Sequence, residues 1–299
     1  MAAAVPVQEK INRRVQEGKK EHPQYEPFLN FWEKILSLQE AYSQKISSEG
    51  RELSPSLRDL KLQEGFPLVA WEDVAVDEAL MKELLQDLCR ATKEANRNLR
   101  QEIPKIETWL QNKKNDFSKW ITLFIRKEEQ LFIRKAKDHG LDGDLMLFLF
   151  YAAWKPFLKA RAMGIGEAGS APFEQWARGY CPVCGSMPLI SYLKNDGKRV
   201  AVCSTCETNY PLNRIFCPHC ATTEQHQLRY FYDQGDEGSR IEVCESCRHY
   251  LKTIDLRKKE METLPVLDDL LTTHLDLWAQ KKGYKKLPLV SPIIGREGL

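Results

Sequence analysis

The stretch that decides the fold runs from Cys181 to Cys247 and contains the pattern C-x-x-C four times: CPVC at 181–184, CSTC at 203–206, CPHC at 217–220 and CESC at 244–247. One such pair can bind a metal ion from a single turn, and two pairs supply the four tetrahedral ligands that zinc or iron prefers. Four pairs therefore predict two four-cysteine metal sites. The predicted ligands are Cys181, Cys184, Cys203, Cys206, Cys217, Cys220, Cys244 and Cys247.

The residues between the motifs indicate how the motifs combine. Eighteen residues separate the first motif from the second, and a turn at Asn195–Gly197 divides them into two apolar runs. Twenty-three residues separate the third motif from the fourth, with a turn at Gly235–Gly238. Because Gly and Asn tolerate positive φ, both intervals are typical of β-hairpins, whose ends meet. We therefore pair the first motif with the second and the third with the fourth, as two tandem rubredoxin-like (zinc-ribbon) modules. The short gap between Cys206 and Cys217 leaves a cross-brace open.

Disulfides and a redox C-x-x-C explain the motifs less well. Disulfides need an oxidising compartment, and a thioredoxin-type site follows a strand in a βαβ unit, which this sequence lacks. Modules of about forty residues build little core, so metal binding, worth about 10–16 kcal/mol, would dominate their stability. The spacing suits zinc and iron equally. His219 and His249 are interpreted as spacers, since each ligand set is complete, and basic residues near the ligands, including Arg199 and Lys252, as solvated surface.

Composition limits the class of protein. The chain has 299 residues, 42% hydrophobic and 29% charged, with a formal net charge of +2. No Lys/Arg-rich arm of the kind found in nucleic-acid binders is present. The longest apolar run, Leu145–Trp154, is about half of what a membrane-spanning helix needs. The N-terminus lacks a signal-peptide pattern, so we expect a cytoplasmic protein without membrane insertion.

Residues 1–170 read as a helical domain because apolar residues recur every three or four positions. Pro156 should kink or end the last of these helices, and Cys89 reads as a small core residue. Glycines at 164–169 indicate a domain boundary. The predicted helices span about 28–46, 57–62, 76–99, 116–139 and 144–163.

The remaining chain completes an α+β multidomain fold. The first metal module is placed at 176–214 and the second at 215–256. A single C-terminal helix and tail follow at 260–299, with the helix ending at Gly283 and the Asp268/Asp269 carboxylates on its solvated face.

The sequence resembles the FdhE family of formate dehydrogenase accessory proteins. The resemblance rests on CPVCGSMP at 181–188, the three later motifs, YLK at 250–252, DDL at 268–270 and GY at 283–284. It covers about 176–285, and the N-terminal half offers no specific motif. It implies a cytoplasmic maturation factor that binds the catalytic subunit of a respiratory formate dehydrogenase before twin-arginine export. It also implies that all eight paired cysteines bind metal and that the protein is not an enzyme.

One departure from a regular metal-binding turn concerns the residue after each motif. Gly185 follows the first motif, whereas Glu207, Ala221 and Arg248 follow the others. Glycine adopts the left-handed turn that brings backbone close to sulfur, so the other three turns should be more strained or more open.

Three functions remain, and an assembly factor is favoured over the other two. A zinc-ribbon nucleic-acid binder would show a basic footprint, and a rubredoxin-type electron-transfer protein would need iron and a redox partner. The six histidines form no catalytic constellation with a nucleophile or acid pair. Aromatic residues near the ligands are candidates for partner contact or for packing: Trp176, Tyr180, Tyr192, Phe216 and Tyr232.

Overall fold

This computed structural model describes residues 6–46, 53–95, 99, 101–166, 173–259 and 261–288. The chain forms two compact units. The first comprises Met1–Arg51 and Ala70–Gly164, and the second comprises Glu52–Val69 and Ile165–Leu299. Of the predicted boundary glycines, Gly164 and Gly166 lie at the end of the helix Gly143–Gly166, and Gly169 lies outside the described residues, as does the tail from 289 on.

The first unit is helical. Its helices are α1 (Val7–Glu21), α2 (Glu26–Ser43), α4 (Glu78–Ala95), α5 (Ile103–Gln111), α6 (Phe117–Ile125), α7 (Glu129–Asp138) and α8 (Gly143–Gly166). Helix α3 (Pro55–Glu64) lies between α2 and α4 in sequence and belongs to the second unit.

Helix α8 forms the centre of the first unit because it is apolar on nearly every side. Its Phe150 and Trp154 are fully buried. The Phe150 ring centroid lies 4.9 Å from that of Phe132, and the Trp154 centroid lies 5.6 Å from that of Trp71. The helix does not end at Pro156 but continues through it to Gly166. Cys89 is buried as predicted.

One prediction for the helical unit needs correction, and two of its helices were not predicted. The helix expected over 116–139 is two helices, α6 and α7, because Lys127 between them adopts a left-handed φ of 61°. Helix α5 was not predicted, and neither was α1, which is highly charged and buries few apolar residues apart from Ile11 and Val15.

The second unit is built on one seven-stranded sheet in the order β3-β2-β1-β6-β5-β4, with β7 also pairing with β6. The strands are β1 (Pro188–Leu193), β2 (Arg199–Cys203), β3 (Asn209–Pro211), β4 (Leu228–Asp233), β5 (Asp236–Cys244), β6 (His249–Asp255) and β7 (Lys285–Lys286). The expected hairpins are the antiparallel pairs β1–β2 and β4–β5.

Parallel pairing between β1 and β6 joins the two hairpins into this single sheet. Ser191 is paired with Thr253, and their hydroxyl oxygens lie 2.7 Å apart. A second link is buried: the Arg199 guanidinium contacts the Glu242 carboxylate at 2.6 Å. Arg199 is therefore not the solvated surface residue that its sequence position suggests. The division into separate modules at 176–214 and 215–256 stays a prediction.

The C-terminal helix is two helices, α9 (Pro265–Leu271) and α10 (Thr273–Lys281), with Gly283 in a left-handed turn (φ 79°) beyond them. The expectation that Asp268 and Asp269 lie on a solvated face is wrong, because both are buried. Asp268 accepts a hydrogen bond from the Tyr192 hydroxyl at 2.6 Å.

Lys252 on β6 is buried as well, which corrects its interpretation as surface. Its ammonium group lies 2.8 Å from the Asp269 carboxylate and 2.5 Å from that of Asp276. Tyr250 donates a further hydrogen bond to Asp276 at 2.8 Å. A buried cation on the sheet thus binds carboxylates from both C-terminal helices.

The residues just before Ala70, where the chain returns to the first unit, also pack on the sheet of the second unit. Backbone N–H groups of Leu68 and Val69 donate to the carbonyls of Pro182 and Val183 at 2.9 and 2.8 Å. Residues 65–69 therefore lie against the first C-x-x-C turn. No helix among the described residues is long and apolar enough to cross a membrane.

Replacing Lys252 with Met should destabilise the second unit by about 3–5 kcal/mol, because two buried carboxylates lose their cation while the apolar stem keeps its packing. Urea-induced unfolding of the metal-loaded chain measures the change. Lys258→Met is the matched control, since Lys258 forms an exposed pair with Glu237. Equal unfolding midpoints for the two variants would contradict a role for the buried cation.

Candidate metal centres

The eight paired cysteines form two clusters, and each cluster joins the two ends of one hairpin. Cys181, Cys184, Cys203 and Cys206 form the first site, and Cys217, Cys220, Cys244 and Cys247 form the second. Within each site the sulfur atoms lie within 4.8 Å of one another. This is the pairing that the hairpins predict, and the cross-brace does not form.

The sulfur separations suit a tetrahedral metal ion. They are 3.5 Å for Cys181–Cys206 and 3.4 Å for Cys184–Cys203 in the first site. In the second site they are 3.6 Å for Cys217–Cys247 and 3.7 Å for Cys220–Cys244. Four thiolates around zinc at about 2.3 Å would lie about 3.8 Å apart, whereas a disulfide needs about 2.05 Å.

Each C-x-x-C turn is held by backbone hydrogen bonds. In the first turn the Gly185 N–H donates to the Cys181 carbonyl at 2.9 Å, and the Cys181 N–H donates to the Ser186 carbonyl at 2.8 Å. The Val183 N–H points at the Cys181 sulfur, 3.4 Å away. Such N–H donors stabilise negative charge on sulfur and orient it toward a shared ion.

The donor set also fits a cation chemically. Burial raises the pKa of the Cys181 and Cys206 thiols, and burial raises the pKa of Cys247 to about 12. Burial opposes ionisation of Cys184 and Cys244 too, but hydrogen bonds to their sulfur atoms lower the pKa of both. Thiolates are the metal-binding form, and a divalent cation lowers thiol pKa values enough to generate them. The residues present therefore could hold one metal ion per site.

Three of the four turns carry the strain that the sequence predicts. Glu207, Ala221 and Arg248 have φ values of 61°, 60° and 59°, the left-handed conformation that Gly185 adopts at 75°. A non-glycine residue in this region costs about 1–2 kcal/mol. Arg248 offsets the strain, because its guanidinium lies 3.8 Å from the Tyr284 ring centre and donates to the Lys282 carbonyl at 2.7 Å.

The two sites differ in their access to solvent. All four cysteines of the first site are buried. In the second site Cys220 is exposed and Cys247 is half-buried. The first site is therefore enclosed by the protein, whereas the second reaches the surface.

Two histidines line the second site. The His219 and His249 rings stack with centroids 3.6 Å apart, and both lie with Cys247 in a group that could bind metal. Interpreting them as separate spacers missed this proximity. A signal was present, because each histidine is the second residue after a ligand, Cys217 in one case and Cys247 in the other. The second site's own four cysteines are nonetheless a complete set.

The aromatic candidates divide between packing and surface. Trp176, Tyr180, Tyr192 and Phe216 are buried, and Trp176 donates to the Tyr180 carbonyl at 2.7 Å. Tyr232 is the exception, since 49% of it is exposed.

Fold and sites together define a class: a helical unit followed by a zinc-ribbon-like sheet with two four-cysteine centres. Two family models match the sheet region, "FdhE, central domain" at residues 180–214 and "FdhE, C-terminal domain" at 215–291. Together they contain all eight paired cysteines. Residues 180–291 of the chain thus belong to the FdhE family.

Relatives support the same assignment. The chain is 32% identical over 166 residues to "Protein FdhE homolog" of Aquifex aeolicus, covering 54% of this chain and 57% of that protein. It is 36% identical over 126 residues to "Protein FdhE" of Escherichia coli O1:K1, covering 40% and 39%. The matches thus span between about two fifths and three fifths of these relatives' length.

A solved structure extends the likeness of fold to the helical unit. The FdhE protein from Pseudomonas aeruginosa matches with a TM-score of 0.66 over 95% of this chain and 96% of that one. Sequence identity is 21%, so this comparison concerns the fold alone.

A double Cys181→Ser, Cys184→Ser variant should lose one of two metal equivalents, because the first site keeps only two thiolate ligands. Elemental analysis of the purified protein measures the loss. Cys89→Ala is the control, since Cys89 lies outside both sites. Full metal content in the double variant would contradict the assignment.

Ala221→Gly should stabilise the second site by about 0.5–1 kcal/mol, because glycine adopts the left-handed conformation without strain. The gain stays small because glycine also loses more conformational entropy on folding than alanine does. Arg248→Gly should show no such gain, because it also removes the contacts with Tyr284 and Lys282. The shift in urea midpoint of the metal-loaded protein distinguishes the two. A destabilised Ala221→Gly variant would refute the strain argument.

Proposed function

We propose that this protein is a formate dehydrogenase accessory protein, as FdhE family membership implies. The observation that carries the proposal is the match of both FdhE domains to the region that forms the two four-cysteine sites. In this proposal the protein binds the catalytic subunit of a respiratory formate dehydrogenase in the cytoplasm. It assists maturation or activation of that subunit before twin-arginine export.

The metal sites support an assembly role without catalysis. Four cysteines saturate the coordination of a tetrahedral ion and leave no open position of the kind that a catalytic zinc site keeps for water. Each site also ties the two ends of a hairpin that has little apolar core of its own. Metal binding at Cys181–Cys206 and Cys217–Cys247 would therefore fix the shape of the sheet surface that a partner meets.

The ion in each site is proposed to be iron or zinc, because four thiolates in a tetrahedron suit both. When bound, iron would supply a one-electron redox couple, whereas zinc would supply structure only. The eight cysteines hold either ion in the same way. The partly exposed second site, at Cys220 and Cys247, is the one from which an electron or an ion could exchange with the surroundings.

An anaerobic pull-down from the native host, grown to express formate dehydrogenase, tests the function. The tagged protein should capture the catalytic subunit, because that subunit is the proposed partner. A Cys217→Ser, Cys220→Ser variant should capture less, since the second site would lose its ion and the sheet surface around it would lose its defined shape. Mass spectrometry and immunoblotting identify and quantify the captured subunit.

The control is again Cys89→Ala, which should capture as much subunit as the unchanged protein. Recovery of nucleic acid or RNA polymerase in place of the subunit would contradict the proposal. It would instead support the alternative of a zinc-ribbon nucleic-acid binder.

A further inference from the structure

The two faces of the hairpin β4–β5 have different surroundings. Strand β4 lies at one edge of the sheet, and successive side chains of a strand point to opposite faces. Phe231 and Ile241 are paired across the hairpin and lie on the face that α10 covers, where the Phe231 ring packs on Trp278 with centroids 4.6 Å apart. Tyr230 and Tyr232 therefore point to the other face, and 59% and 49% of these residues are exposed.

A cavity of about 510 Å³ lies at one end of this exposed face, beside the second metal site. Cys217 and Cys244 are part of its wall, and Tyr230 belongs both to the wall and to the exposed face. Ile215, in the loop before Cys217, is a further exposed part of the wall. The cavity and the exposed tyrosines thus form one continuous surface next to the metal site that solvent can reach.

Guanidinium groups outnumber carboxylates in the cavity wall. Four arginines line it, whereas Glu242 is its only carboxylate in the part of the chain that the structure describes. Arg199 and Arg240 both contact Glu242 at 2.6 Å and so share one negative charge. Arg214 is exposed and has no carboxylate partner among the described residues, and the contact of Arg229 with a carboxylate is long, at 3.8 Å. An anionic partner would therefore complement this wall.

The surface also has the composition and the order of a protein-binding site. Tyrosine and arginine are enriched among the residues that contribute most to protein–protein binding. The Arg240 guanidinium donates to Glu242 at 2.9 and 2.6 Å and lies 5.0 Å from the Tyr230 ring centre. The Tyr230 and Tyr232 rings are stacked with centroids 6.4 Å apart. Side chains held in this way lose less freedom when a partner binds.

An acidic peptide fits this surface better than a nucleic-acid strand does. Glu242 and the sulfur ligands Cys217 and Cys244 lie in the same wall as the arginines. A strand with a phosphate at each nucleotide would bring a continuous row of negative charge to these groups. Separate Asp or Glu side chains can instead be placed at the arginines alone, and arginine binds a carboxylate through two parallel hydrogen bonds.

We propose that the face around Arg214, Tyr230 and Tyr232 is the partner-binding surface of this protein, and that its occupant is an acidic peptide segment of the formate dehydrogenase catalytic subunit. Acidic side chains of the segment pair with Arg214 and Arg229 at the cavity, and its apolar groups pack on Tyr230 and Ile215. This inference rests on the proposed function, to which it adds the location of the surface and the charge of the segment.

An anaerobic pull-down from the native host, with the captured catalytic subunit quantified by immunoblot, tests the surface. Arg214→Glu should lower capture by about tenfold or more, because the reversed charge would repel acidic side chains. Tyr230→Ala should lower it by a similar factor, because it removes a central aromatic contact. Capture by the unchanged protein should also fall as the salt concentration rises, since salt screens charges at an exposed surface.

Lys198→Glu and Phe28→Ala are the matched controls, because they change an exposed cation and an exposed aromatic side chain outside this surface. Both should capture the subunit to within about twofold of the unchanged protein. All four variants should keep the metal content of the unchanged protein, since none of the changed residues is a predicted ligand. An Arg214→Glu variant that loses metal would overturn the proposal, because it would assign this arginine to neutralising the thiolates.

Crosslinking gives a positive test that identifies the chemistry of the occupant. With p-benzoylphenylalanine in place of Ile215, irradiation should join the protein to a peptide of the catalytic subunit in which Asp and Glu outnumber Lys and Arg. The same photoreactive residue in place of Phe28 should give no such product. A crosslink from position 215 to a basic peptide or to nucleic acid would overturn the proposal.

The outcomes distinguish this inference from the proposed function. If the unchanged protein captures the catalytic subunit and the Arg214→Glu and Tyr230→Ala variants capture as much, the surface is wrong and the proposed function stands. If the unchanged protein captures no catalytic subunit, both are wrong.

Discussion

The parallel pairing of β1 with β6 is the constraint on which the sheet unit depends. Each hairpin with its two C-x-x-C motifs is only about forty residues long, a size at which a chain seldom builds enough apolar core to be stable without a metal ion. Pairing Ser191 with Thr253 puts both hairpins in one sheet and buries the Arg199–Glu242 ion pair between them. The turns then approach closely, since a Cβ at Gly179 would lie 2.1 Å from the Pro218 carbonyl oxygen.

Charge, as well as apolar packing, attaches the C-terminal helices to this sheet. Lys252 on β6 contacts Asp269 and Asp276, and Tyr192 on β1 donates to Asp268. Buried ion pairs add little net stability compared with apolar residues, but removing one partner is costly. These contacts join α9 and α10 to strands β1 and β6 of the sheet.

The two candidate metal centres have the same kind of ligand set, four cysteines each, and differ in their surroundings. The first is enclosed, partly because residues 65–69 hydrogen-bond along its first turn. The second exposes Cys220 and has the stacked imidazoles of His219 and His249 beside it. One chain therefore combines an enclosed four-cysteine site with one that solvent can reach.

The sequence by itself determined what depends on local spacing. Two cysteines on one turn, a hairpin turn such as Asn195–Gly197 and the left-handed residues after each motif are properties of a few neighbouring residues, so they predicted both four-cysteine sites and their pairing. Only the tertiary structure decided the shared sheet, the burial of Lys252 and Asp268, the proximity of the two histidines and the open edge at β4. These depend on contacts between residues far apart in the chain, and a periodicity of charged or apolar residues does not specify which distant element will cover them.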